Sequence, residues 1–144
     1  MKVSDIETDR QFQLGGEVPE DMKTLAYIGD AVCSLFIRQA LAGNGGHVKG
    51  LTQRAVAFSC ASGQARASEA LQPLLSEDEA DVFRRGRNAK CGVVPKGCDP
   101  VDYRKATGFE SLMGWLYVNG RRTRLEELLT QAYKPNEDVQ HEDH

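Results

Sequence analysis

The chain has no uninterrupted apolar run approaching the about 18 to 20 residues that span a bilayer. Its start, MKVSDIETDR, is polar and acidic rather than a charged opening followed by an apolar stretch, so no secretion signal is expected. No cysteines have paired CxxC spacing: Cys33, Cys60, Cys91 and Cys98 stand apart, and Cys91 and Cys98 lack the partners of a zinc site. Without a secretion signal, the four read as reduced thiols in the cytosol or a similar reducing compartment. No segment shows the period-two alternation of a half-buried strand. There is no internal repeat. Gly43-Asn44-Gly45-Gly46 follows a helix and lacks the Lys-Ser/Thr ending of a phosphate-binding loop.

What is present is helical periodicity. Asp21 is placed to cap a helix running to about Ala42, whose Leu25, Ile28, Val32, Leu35 and Phe36 recur at three- and four-residue steps. Further helices are expected over Val48 to Phe58 and Ser62 to Gln72, the latter ending before Pro73. Ser76 and Glu79 have the spacing of a capping box for a helix reaching Asn88. Cys91 to Pro100 is rich in glycine and proline and reads as a loop. A fifth helix is expected from Asp99–Val101 to Val118, and a last one over Thr123 to Tyr133, with Thr123 and Glu126 again spaced as a capping box. The fold class is all-α, with about six or seven helices. The chain divides into a partly ordered segment 1–19, a folded domain 20–134 and an acidic, disordered tail 135–144.

The net charge of −3 conceals an asymmetry. Residues 1–22 and 135–144 are acidic, whereas 23–134 hold sixteen Lys and Arg against eleven Asp and Glu. A basic middle suits a polyanionic partner without demanding one.

Two acids stand where acids are costly. Asp30 lies in LAYIGDAVCSLFI and Glu110 in ATGFESLMGWLY, both strongly apolar. A carboxylate there must find a partner, change its protonation or bind a cation. Two such acids converging from separate helices could hold a hard divalent metal through oxygen, with water completing the shell. The plainer alternative puts each on a solvent face or beside an arginine. Gly29, Gly108 and Gly114 sit in helix interiors, where glycine costs about 1 kcal/mol against alanine. They point to close backbone approach, of helix to helix or helix to substrate. The cations Arg84, Arg85, Arg87, Lys90, Lys96, Arg104 and Lys105, with Asn88, bracket the loop before the Glu110 helix, where they could neutralise phosphates or form a solvated face. Arg121, Arg122 and Arg124 cluster at a turn and read as surface.

Leu25-Ala26-Tyr27-Ile28-Gly29-Asp30-Ala31-Val32 resembles the signature helix of the ribonuclease III catalytic domain. Arg85-Gly86-Arg87-Asn88-Ala89-Lys90 and the run Tyr103 to Tyr117 (YRKATGFESLMGWLY) resemble more narrowly Mini-ribonuclease III, the short branch without a double-stranded-RNA-binding domain. The likeness spans about residues 20–133. It implies a ribonuclease III-like helical endonuclease fold, a homodimer with one site for each strand, and Mg²⁺-dependent cleavage of double-stranded RNA, with Mn²⁺ as a substitute. It also implies maturation of large-subunit (23S) ribosomal RNA, with a ribosomal-protein helper left open, in the cytoplasm or a plastid and away from membranes. By the same likeness, Asp30 and Glu110 are the catalytic and metal-binding acids. Ala26 and Thr107 stand where longer members have a glutamate and an aspartate, which leaves open one or two cations per site. They also keep open a non-catalytic RNA-binding or ribosome-associated module on the same fold. A protein–protein interaction domain with salt-bridged acids is a third reading. The terminal His141 and His144 make a poor metal site on a flexible tail.

Overall fold

The computed structural model describes residues 16–89 and 93–134. Lys90, Cys91, most of segment 1–19 and the tail 135–144, including His141 and His144, lie outside the described residues. The elements are α1 (Met22–Gly43), α2 (Val48–Ser59), α3 (Ala61–Leu71), a short 3₁₀ turn (Gln72–Leu74), α4 (Glu77–Asn88), α5 (Pro100–Val118) and α6 (Arg122–Ala132). No strand occurs among the described residues.

The caps explain most of the boundaries. Asp21 accepts from the Thr24 N–H at 3.1 Å, satisfying one of the free amides of the first turn. Ser76 and Glu79 form the expected reciprocal box at the start of α4. Asp99 caps α5, with Pro100 at its first position. The expected capping box at Thr123 and Glu126 does not form. The cap residue of α6 is Arg121, and Glu126 takes the Arg122 guanidinium instead, at 3.3 Å. Gly120, with φ of 72°, turns the chain so that the helix cap falls two residues earlier than the threonine signal suggests.

The central element is α5, which packs mainly on α1, then on α4 and α3. Its Phe109, Leu112, Met113 and Leu116 are buried with Val32 and Cys33 of α1, Val82 and Phe83 of α4, and Leu125 and Leu128 of α6. Phe109 and Met113 are thus core residues, while Phe36 and Trp115 are partly buried at its edge, beneath Arg122 and Arg121 respectively. Taken whole, α1 is long and apolar enough to cross a membrane by length and composition, which corrects the impression left by its short apolar runs. In the bundle, Leu25, Gly29, Val32, Cys33, Ile37 and Leu41 form its buried stripe.

The α1–α5 crossing decides where the acids go. A Cβ on Gly29 would overlap the Glu110 carbonyl oxygen, and one on Gly114 would overlap the Leu25 carbonyl oxygen. The glycines therefore serve contact of backbone with backbone between helices. Because Gly29 meets Glu110 itself, Asp30 and Glu110 are forced onto adjacent stretches of two crossing helices. Gly114→Ala is expected to destabilise the protein by about 3 kcal/mol, the upper range for overpacking a rigid core, as measured by urea unfolding. Stability within 0.5 kcal/mol of the native chain (on the order of a surface substitution) would contradict this.

Candidate active site

Asp30 and Glu110 line one cleft of about 670 Å³. Lys23, Ala26 and Tyr27 of α1 share its wall with Ser59, Ala61 and Gln64 from α2 and α3 and with Tyr103, Ala106 and Thr107 of α5, and Pro95 and Cys98 bring the preceding loop to its rim. Asp30 sits on the exposed side of α1 and Glu110 is half-buried. Their carboxyl groups lie within hydrogen-bonding reach of one another.

Burial of Glu110, reinforced by the hydrogen bond and negative charge of Asp30, pushes its carboxyl up to about 8, against a weaker lowering influence from Gln64. Cys33 is buried, and its thiol is raised well above the ordinary value, first by that burial and then by Glu110 and Asp30. Tyr133, at the end of α6, stacks edge-on against Phe109 at 6.0 Å and Phe58 at 5.5 Å. Its hydroxyl is buried without a hydrogen-bond partner. Burial raises this phenol as well, with Cys33 and Glu110 adding to the effect. The carboxyl pair therefore has an apolar floor and an open side.

Two carboxyl groups side by side at the edge of the core form a donor set that a divalent cation fits. It supplies two oxygens and room for the waters magnesium retains. Among the described residues, no group of three or more His, Cys, Asp or Glu adds to them. Ala26 and Thr107 do lie on the cleft wall, so both positions face the site with side chains that add no negative charge. The Thr107 hydroxyl donates to the Tyr103 carbonyl at 3.0 Å.

The basic residues separate by what already holds them. Arg84 is paired with Asp81, and Lys105 with Glu69 at 2.6 Å. The Arg87 Nε donates to the Asn88 side-chain Oδ1 at 3.4 Å. Arg85, Lys96 and Arg104 are exposed and make no ion pair among the described residues. Arg84, Arg85 and Asn88 share a second cleft of about 580 Å³ with Asp21, Met22 and Lys23. Lys23 lines both clefts and so joins the basic surface to the acids. Sequence reasoning missed Lys23, Gln64 and Tyr133, and only their placement in three dimensions marks them. Arg124 departs from its surface reading: it is a half-buried partner of Glu79.

Residues 23–121 match the family described as Ribonuclease III domain. The chain is 46% identical over 110 residues to Mini-ribonuclease 3 of Symbiobacterium thermophilum, covering 76% of this chain and 85% of that protein. It is 45% identical over 106 residues to Mini-ribonuclease 3 of a Thermoanaerobacter species, covering 73% and 75%. A crystal structure of a Fusobacterium nucleatum protein shares the fold with a TM-score of 0.74 at 23% identity, over 80% of this chain and 94% of that one. With that match, those identities and a fold that brings Asp30 beside Glu110, the chain belongs to the ribonuclease III family, in its Mini-ribonuclease 3 branch.

Proposed function

We propose that the protein is an Mg²⁺-dependent endoribonuclease that hydrolyses both strands of double-stranded RNA, with precursor large-subunit (23S) ribosomal RNA as its substrate. The observation that carries this reading is the convergence of Asp30 and Glu110 from two helices into one cleft. A bound divalent cation, Mg²⁺ or Mn²⁺, would supply the positive charge that activates water and offsets charge developing on the phosphate. Asp30 and Glu110 would hold it, and Asp30, on the open side, would also orient the attacking water. Burial and Asp30 favour the protonated form of Glu110, and a bound cation would favour its ionised form. Lys23, Arg85 and Asn88 would bind backbone phosphates running away from the cleft. Such contacts follow duplex shape rather than base sequence.

One site cuts one strand, and a second copy of the chain supplies the other. Leu35 of α1 and Val48 and Val56 of α2 are exposed apolar side chains that a second copy would cover. The four cysteines and the lack of a secretion signal suit a reducing compartment such as the cytoplasm.

Incubating purified protein with duplex RNA, with and without Mg²⁺, tests the reading. Cleavage only with the cation is expected. Binding without cutting would favour the non-catalytic module, for which Ala26 and Thr107 speak. Arg85→Ala is expected to weaken duplex binding and lower the salt slope by about one. Arg84→Ala should do less, because Asp81 already holds that guanidinium. Equal slopes for Arg85→Ala and the native chain would remove Arg85 from the phosphate contacts.

A further inference from the structure

Gln64 is a polar side chain that is only 3% exposed, on a helix that carries neither acid. Its backbone is fixed on both sides. A Cβ on the preceding Gly63 would overlap the Ala57 carbonyl oxygen, while Ala65, Ala67 and Ser68 are buried. The side chain lines the cleft with Asp30 and Glu110. Its Nε2 donates to Glu110 Oε2 at 3.5 Å, and this bond favours the ionised form of that carboxyl. At that length the bond is weak, at the outer edge of hydrogen-bonding range.

A buried primary amide carries two donor hydrogens and an acceptor oxygen, and leaving them unused is costly. Here the donor side is directed at Glu110. A leucine of similar size would fill the same space without these polar atoms, so volume alone does not call for glutamine. Among the described residues the site has two acids, a cation gains from a third polar group, and a neutral one adds no repulsion to a crowded carboxyl pair.

We propose that Gln64 is a positioning residue for the metal centre. Its amide holds the Glu110 carboxylate in the orientation that accepts a divalent cation, and its carbonyl oxygen adds a neutral third donor to the cation's hydration shell. The inference rests on the cation-binding reading of Asp30 and Glu110 and goes beyond it by assigning a residue from a third helix.

The test is Mn²⁺ binding to the full chain, followed by electron paramagnetic resonance of the free ion, for the native protein, Gln64→Leu and Gln64→Asn. Gln64→Leu is expected to fold, to bind duplex RNA in Ca²⁺ as the native protein does, and to lose about 10- to 100-fold in Mn²⁺ affinity, the range for outer-shell partners of metal ligands. Gln64→Asn keeps the amide but withdraws it by one methylene, and should fall between the two. Cleavage by Gln64→Leu should recover at high cation concentration, with KM for RNA unchanged. Mn²⁺ affinity of a folded Gln64→Leu within twofold of native would overturn the role of Gln64 alone. A native protein that binds no Mn²⁺ would overturn the two-carboxylate reading, and this inference with it. If Gln64→Leu fails to fold, Gln64→Asn decides, and native affinity there together with native cleavage would count against the proposal.

Discussion

Glu110→Gln is expected to lower turnover of duplex RNA by about 10³-fold, or about 4 kcal/mol of transition-state stabilisation, while making the cation-free protein more stable at alkaline pH. The two effects share a cause. Burial and the adjacent Asp30 raise the Glu110 carboxyl to about 8, from 4.5 in a free chain. The folded protein therefore binds this proton more tightly than the unfolded chain. The resulting stabilisation is fully present below pH 4.5 and is lost as pH rises through 8. Glutamine keeps the shape, cannot ionise and avoids that loss. Thermal unfolding in the absence of divalent cation should show the variant melting above the native protein at pH 8.5, with the difference vanishing toward pH 4.5. Mg²⁺ should stabilise the native protein and leave the variant unmoved. Native-level cleavage by the variant would reject the assignment of Glu110. Identical melting curves at both pH values would show that the carboxyl pair carries no electrostatic strain.

The second large effect lies away from the cleft. Glu79, 3% exposed at its side chain, accepts two bonds from Arg124, from Nε and a terminal nitrogen, each at 2.8 Å. The same guanidinium donates to the Leu74 carbonyl at 2.7 Å and to Glu127 at 2.9 Å. The Ser76 N–H also donates to Glu79, at 2.9 Å. One arginine thus ties the 3₁₀ turn and the start of α4 to α6. Its hydrogen bonds hold the Glu79 carboxyl down to about 2, although burial opposes them. Arg124→Ala leaves a buried carboxylate uncompensated and should cost about 3 to 5 kcal/mol. Arg124→Lys restores charge without the planar fork and should recover only part of that. The pair's contribution is present above pH 4.5 and disappears as pH falls toward 2. The gap between native and Arg124→Ala in urea unfolding should therefore narrow on acidification over that interval. A gap below about 1 kcal/mol at neutral pH, as for an exposed pair, would show that the bridge is dispensable.

Helices and caps were legible in the sequence because their signals are local. The Asp21 cap, the Ser76–Glu79 box and the start of α5 follow from residues three or four positions apart. The same rule misled at Thr123, where the turn at Gly120 set the helix start. The acids were legible because charge in an apolar helix is conspicuous, and the glycines because their cost needs a reason. Convergence of Asp30 with Glu110 was an expectation from family likeness, and the Gly29–Gly114 crossing is its physical cause. Pairings across the fold were not legible. Glu79 and Arg124 are 45 residues apart, and Lys105 and Glu69 are 36 apart, with nothing in either local sequence to indicate the partner. Gln64 sits in ASGQARASEAL, a helix of small and polar residues in which a glutamine attracts no notice. Tyr133 looked like the last residue of a helix, and only tertiary packing sets its ring against Phe58 and Phe109.

The most direct test of the central claim, that Asp30 and Glu110 act as one cation-binding unit, is a double-mutant cycle in Mn²⁺ affinity over the native chain, Asp30→Asn, Glu110→Gln and the combined variant. Each single substitution is expected to remove nearly all the affinity, so that the combined variant is scarcely weaker than either. Native affinity in one single variant, or two modest losses that simply add, would contradict a shared ion.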